Sequence, residues 1–168
     1  MAGFPLFNRA ALKIKSLRSR VHDLDISIIR QVNDSKCSEI HRKFEEVSRR
    51  VIHAKQNNSS IIFMIGGHVI RDGVQNYIID LMERGYISCV AINGSVMIHD
   101  FEFALIGATT ESVARYIREG QFGLWKETGR INDIINEGYR NGLGMGEAVG
   151  KAIYEGNISL ADLKQFLY

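Results

Sequence analysis

The chain holds a single proline, Pro5, in 168 residues. That scarcity leaves long stretches open to helix, since proline removes a donor and breaks helix interiors. Cysteine is almost as rare. Cys37 and Cys89 have neither metal nor redox spacing, and a reducing compartment suits them. Cys89 lies in an apolar run, which predicts a buried thiol. No apolar run approaches the ~18 residues of a membrane span. The first twenty residues are basic and weakly apolar without a continuous hydrophobic stretch, so neither a signal peptide nor a membrane anchor is expected. A cytoplasmic protein is the expectation. No charge of one sign dominates: the net charge is +2 and the basic residues are dispersed, which argues against a nucleic-acid partner. No repeat, low-complexity tract or clear linker divides the chain.

What is present is ordinary in amount and informative in order. Apolar residues make up 45% and charged residues 24%, enough for one soluble domain with a core. Residues 61–65 form an apolar run that meets Gly66, Gly67 and His68, and a helical pattern follows over 69–84. Residues 88–92 form a second run that meets Asn93, Gly94 and Ser95, followed by a helix over 97–106. Two strand–turn–helix units in succession predict an α/β fold: Rossmann-like, with a parallel sheet flanked by helices. Ligands of such sheets sit outside the carboxyl ends of the strands, where turns and helix N-termini offer free N–H groups.

Around these units the pattern is helical. Residues 8–20 suggest a short basic amphipathic helix, and residues 1–35 are assigned to a helical N-terminal arm ahead of a Rossmann-like domain over 36–168. Residues 36–56 carry Ile40, Phe44, Val47 and Val51 on one helical face. Residues 61–65 are apolar on both faces, as in a central strand, and 21–32 offer a further strand. Gly73 interrupts its helix at about 1 kcal/mol relative to alanine, which signals a close approach of backbone or ligand. Gly85, Gly107 and Gly120 are placed to end helices, and Thr109 or Thr110 to cap a helix through Arg118. Residues 131–153 read as a helix with glycine at 138, 142, 146 and 150, a ridge of small residues that permits close packing. A last short helix is expected over 159–168.

The turns and their order resemble deoxyhypusine synthase. That family has a strand–TSNLISSG–helix segment followed by a strand–TTAGGVEED–helix segment. The corresponding stretches here are GGHVIRDG, residues 66–73, and INGSVMIHD, residues 92–100. The bacterial deoxyhypusine synthase-like proteins are more similar, with GAHVI, then NGAGAIHDFE, then ETG; here these are residues 66–70, 93–102 and 127–129. The resemblance covers roughly residues 40–150 and matches only the N-terminal half of the family. It implies NAD as cofactor, a homo-oligomer (dimer or tetramer) and an NAD-dependent aminobutyl-type transfer acting on a small amine or polyamine. The family's catalytic lysine lies in the C-terminal half, which would have to come from a separate protein. The alternative is a non-catalytic structural or regulatory oligomer that has lost the cofactor site.

The candidate residues follow from these turns. Gly66, Gly67, His68, Arg71, Asn93, Gly94 and Ser95 are the cofactor-binding candidates. His68 can meet a phosphate or ribose, or simply cap a helix. Arg71 can pair with phosphate or lie on the surface. The small residues at 93–95 let backbone approach a ligand. His99, Asp100 and Glu102 are the catalytic candidates, because a histidine beside carboxylates can act as a general base. Adjacent helical residues diverge, however, so His99 and Asp100 need not pair, and a buried polar network is the competing reading. His99 and Glu102 alone are too few to hold a metal. Trp125 is expected in the core, and Glu127 with Thr128 forms either a local cap or part of a lid.

Overall fold

The computed structural model describes residues 3, 6, 8–34 and 42–156. Cys37, Ile40 and the helix expected over 159–168 lie outside the described residues. The first parallel unit is β2 (Ile62–Ile65), α2 (Gly67–Arg71), α3 (Gln75–Glu83) and β3 (Cys89–Ile92). Ile62 stands opposite Cys89 and Ile65 opposite Ile92, in parallel register. The chain is therefore α/β with a Rossmann-like βαβ unit, as the paired apolar runs require. The sheet is one-sided. Phe63 and Ile65 turn inward, whereas Ile62 is 62% and Met64 79% exposed. Residues 61–65 are thus not a central strand covered on both faces among the described residues. Cys89 is exposed rather than buried, because its side chain falls at the start of β3, outside the packed face.

The helix expected over 69–84 is two helices. Gly73 adopts φ +73°, and a Cβ there would lie 2.0 Å from the carbonyl oxygen of Ile28. The Arg30 amide donates to the Gly73 carbonyl at 2.8 Å. The interruption marks a backbone contact between segments, not a ligand contact.

β3 leads through Asn93 into α4 (Gly94–Ile106), the central helix. Val96, Met97, Phe101, Phe103 and Leu105 are all buried on it, so it is apolar almost all round. Gly107 ends it at φ +65°, as expected. Residues 108–111 are not a helix start but β4 (Ala108–Glu111), which pairs antiparallel with β1 (His22–Asp25). Ser112, not a threonine, caps α5 (Val113–Arg118) by accepting from the Arg115 amide. The helix expected over 131–153 is a hairpin of α6 (Lys126–Arg140) and α7 (Met145–Tyr154). Gly138 faces α7 so closely that a Cβ would lie 2.3 Å from that of Ala148. Of the four glycines Gly138 serves the contact between the two helices, Gly142 turns the hairpin at φ +74° and Gly146 faces Ile92 of β3, so they do not form one continuous ridge.

The N-terminal segment is not a separate helical arm. Residues 9–34 comprise short 3-10 turns and β1, and they are built into the fold. Leu17 is fully buried with Phe101, Trp125 and Val149. Lys15 bridges Trp125. By contrast, α1 (Arg42–Gln56) has the expected helical periodicity, but Phe44 and Val47 on its apolar face are exposed.

Candidate functional site

The two strand-end turns abut. A Cβ on Gly67 would lie 2.7 Å from Ser95 Oγ and 3.0 Å from His99 Cδ2. Only hydrogen fits at 67, and that closeness lets α2 and α4 start side by side at the ends of adjacent parallel strands. Asn93 Oδ1 caps α4 from the Val96 amide at 3.3 Å and accepts from Ser95 Oγ at 2.7 Å. Gly66 caps α2 with no side-chain bond of its own. His68 is exposed, and its Nε2 lies 3.5 Å from Arg71 Nη1. Arg71 Nε is buried and has no hydrogen-bond partner among the described residues.

Behind the turns lies a polar network that sequence spacing half disclosed. Glu102 accepts from Arg20 through both oxygens, at 2.8 and 2.6 Å, and both side chains are only 2% exposed. Thr109 donates to Glu102 Oε2 at 2.7 Å, and Thr128 donates to Oε1 at 2.9 Å. His99 Nδ1 meets Thr109 Oγ1 at 2.9 Å. A hydroxyl has one proton, and Thr109 gives it to Glu102. Its oxygen therefore accepts from His99 Nδ1–H, which leaves Nε2 as the acceptor on the ring. Burial holds the His99 imidazole below its usual range, with Glu102 opposing and Arg71, Arg20 and His68 reinforcing. The imidazole is thus neutral near pH 7, with its basic nitrogen on the edge of the ring nearer the turns.

Asp100 does not join this network. It lies instead in the wall of an apolar cavity between the inner sheet face, α3, α4 and α7, where burial pushes its carboxyl up to about 7. Of the three catalytic candidates, His99 and Glu102 are brought together through Thr109, and Glu102 is spoken for by Arg20. Arg20 and Thr109 were invisible as partners because they sit 82 residues before and 7 residues after Glu102. His22 on β1 joins the network, its Nδ1 accepting from Arg20 Nε at 3.1 Å. Glu127 is a long-range clamp, not a local cap or a lid: Ser16 Oγ donates to it at 2.5 Å and the Leu17 amide at 2.6 Å. Among the described residues no cluster of three His, Cys, Asp or Glu side chains could hold a metal, and no helix is long and apolar enough to cross a membrane.

A Rossmann-type βαβ unit with abutting turns narrows the class, and comparison with known families decides it. The family model for the arginine dihydrolase ArgZ-like, C-terminal, Rossmann fold matches residues 45–160, well over half of the chain. The chain belongs to this family. No curated protein and no solved structure matches it significantly. Membership in the ArgZ-like family overturns the resemblance to deoxyhypusine synthase. The aminobutyl transfer and the polyamine chemistry fall with it. The alternative of a structural oligomer without its cofactor gains no support from the family either. The error has a physical origin. Glycine, asparagine and histidine at strand-end turns answer demands of the βαβ backbone, so they recur across Rossmann-like families and specify the fold more than the reaction.

Proposed function

We propose that this ArgZ-like Rossmann unit binds NAD or a related nucleotide at the paired turns. Arg71 carries the reading: its buried guanidinium nitrogen lacks a partner beside two strand-end turns, and a phosphate would supply the acceptor. Gly66, Gly67, Asn93, Gly94 and Ser95 offer backbone and small side chains that admit such a group closely. His68 adds a donor at the exposed rim. Bound NAD would supply a hydride acceptor. His99, neutral and held in one tautomer through Thr109 and Glu102, offers a proton acceptor toward the same turns. The family description names a dihydrolase-like protein, and in this reading the present unit is its nucleotide-holding part.

Calorimetric titration with NAD tests the reading. Saturable binding that weakens about tenfold in Arg71→Ala, the scale of one lost charged hydrogen bond, is expected. Ser95→Trp should abolish it by covering the exposed turns with an indole ring. Absence of binding by NAD, AMP and ATP alike would overturn the reading.

A further inference from the structure

The cavity that holds Asp100 begins directly beneath the turns. Ile65 and Ile92, the last residues of the two strands, form part of its wall, as does Val96 in the first turn of α4. Its volume is about 610 Å³, within the range of small-molecule sites. Val96 and Asp100, one turn apart, face it from the flank of α4 next to that which carries Ser95 and His99, about 100° round the helix. A nucleotide with its phosphates at the turns therefore has an apolar compartment within one helical turn.

One polar feature of the wall has no internal explanation. Asp100 Oδ1 is fully buried and takes no hydrogen bond among the described residues. Leaving such an atom unmatched costs about 1–3 kcal/mol, so the fold alone does not account for it. The surrounding wall from the strands and α3 is apolar, with Ile78 and Met82 on α3 and Val90 on β3. Among the described residues, the groups that can titrate and share this cavity with Asp100 are Glu147, Lys151 and Tyr154 of α7.

We propose that this cavity holds an aminated nitrogen heterocycle, an adenine-type ring, of the nucleotide bound at the turns, with Asp100 pairing its edge. The assignment rests on the nucleotide reading above and adds where the base lies. Aliphatic and thioether walls suit the ring faces. An amino group beside a ring nitrogen presents a donor next to an acceptor, and a protonated carboxyl presents the complementary acceptor and donor. Burial raises the Asp100 carboxyl to about 7, so the protonated form is available near neutrality.

The test is calorimetry on the full chain with AMP and nicotinamide mononucleotide at about pH 6 and about pH 8. AMP is expected to bind more tightly than nicotinamide mononucleotide, and that preference to shrink as pH rises; both ligands carry a phosphate that ionises at about pH 6, so its effect cancels in the comparison. Asp100→Ala should weaken AMP about tenfold. Asp100→Asn, whose amide keeps a donor and an acceptor, should retain AMP within about threefold and lose the pH dependence. Gly150→Phe supplies an independent probe. Gly150 lines the cavity, and nothing lies within 4 Å of a Cβ built there. The new ring should fill the cavity and displace AMP without unfolding the chain, which a thermal melt verifies. Two results would overturn the base site while sparing the turns: AMP binding that survives both Asp100→Ala and Gly150→Phe yet is lost in Ser95→Trp, or a preference for AMP over nicotinamide mononucleotide that does not fall as pH rises. No binding of any nucleotide would sink both assignments together.

Discussion

Glu102 shows how one residue can look chemical in sequence and prove architectural in space. Its three-residue distance from His99 suggests a base and its orienting carboxylate. In the fold both its oxygens are taken by Arg20, and hydroxyls from Thr109 and Thr128 complete its shell. Its effect on His99 passes through the Thr109 hydroxyl. Glu102→Gln would strand the Arg20 charge in a site only 2% exposed and should destabilise the protein by about 3–5 kcal/mol. Urea unfolding measures this directly. The paired change Arg20→Met with Glu102→Leu should cost much less, because no buried charge remains. Equal losses in both variants would show that packing, not the ion pair, governs this site. His99 was legible as a candidate because carboxylates stand beside it in the chain, but its tautomer was not, since Thr109 lies on another element.

At the scale of elements, glycine decides where helices stop, for two separable reasons. Gly73 and Gly85 share left-handed backbone, at φ +73° and +68°. Only Gly73 faces another segment: a Cβ on it would sit 2.0 Å from the Ile28 carbonyl oxygen, whereas one on Gly85 would meet nothing within 4 Å. Gly85→Ala should therefore cost about 1 kcal/mol of backbone strain alone. Gly73→Ala should cost about 3 kcal/mol or more, since strain and collision combine. Thermal melts of the two variants compare them, and similar losses would show that the Ile28 contact is soft. The ends of α4 and α3 were readable from Gly107 and Gly85, because local backbone geometry needs no partner. The break between α2 and α3 was readable only as an interruption. The α6–α7 turn was missed, because glycines at regular steps fit one helix as well as two.

Over the whole molecule, buried titratable groups oppose one another. His99 and His22 are held below their ordinary values, chiefly by burial, so the unfolded chain takes up protons first as pH falls below about 6.5. Their contribution to stability is complete above that pH and declines below it. Asp100 acts in reverse. Its carboxyl rises to about 7, so the native state keeps a proton that the unfolded chain releases. Its contribution is complete below about pH 4 and is lost as pH rises through about 7. Asp100→Asn should remove that loss, stabilising the protein above pH 7 by on the order of 4 kcal/mol and leaving stability that climbs toward pH 6.5. His99→Gln should leave the opposite slope. Urea midpoints measured between about pH 5 and about pH 8 distinguish these outcomes, and parallel curves for both variants would contradict the opposition.

The sequence by itself determined the βαβ unit, its two polar turns and the helix stops marked by glycine. Each depends on the hydrophobic period and backbone freedom of a few neighbouring residues. Tertiary structure alone decided that residues 108–111 form a strand, because their partner is residues 22–25. It also decided that Glu102 belongs to Arg20, that Glu127 clamps Ser16 and Leu17, and that Asp100 faces a cavity apart from His99. These assignments join residues far apart in the chain, or separate adjacent ones on different faces of a helix. Only packing determines which distant groups share the space where a buried charge must find its partner.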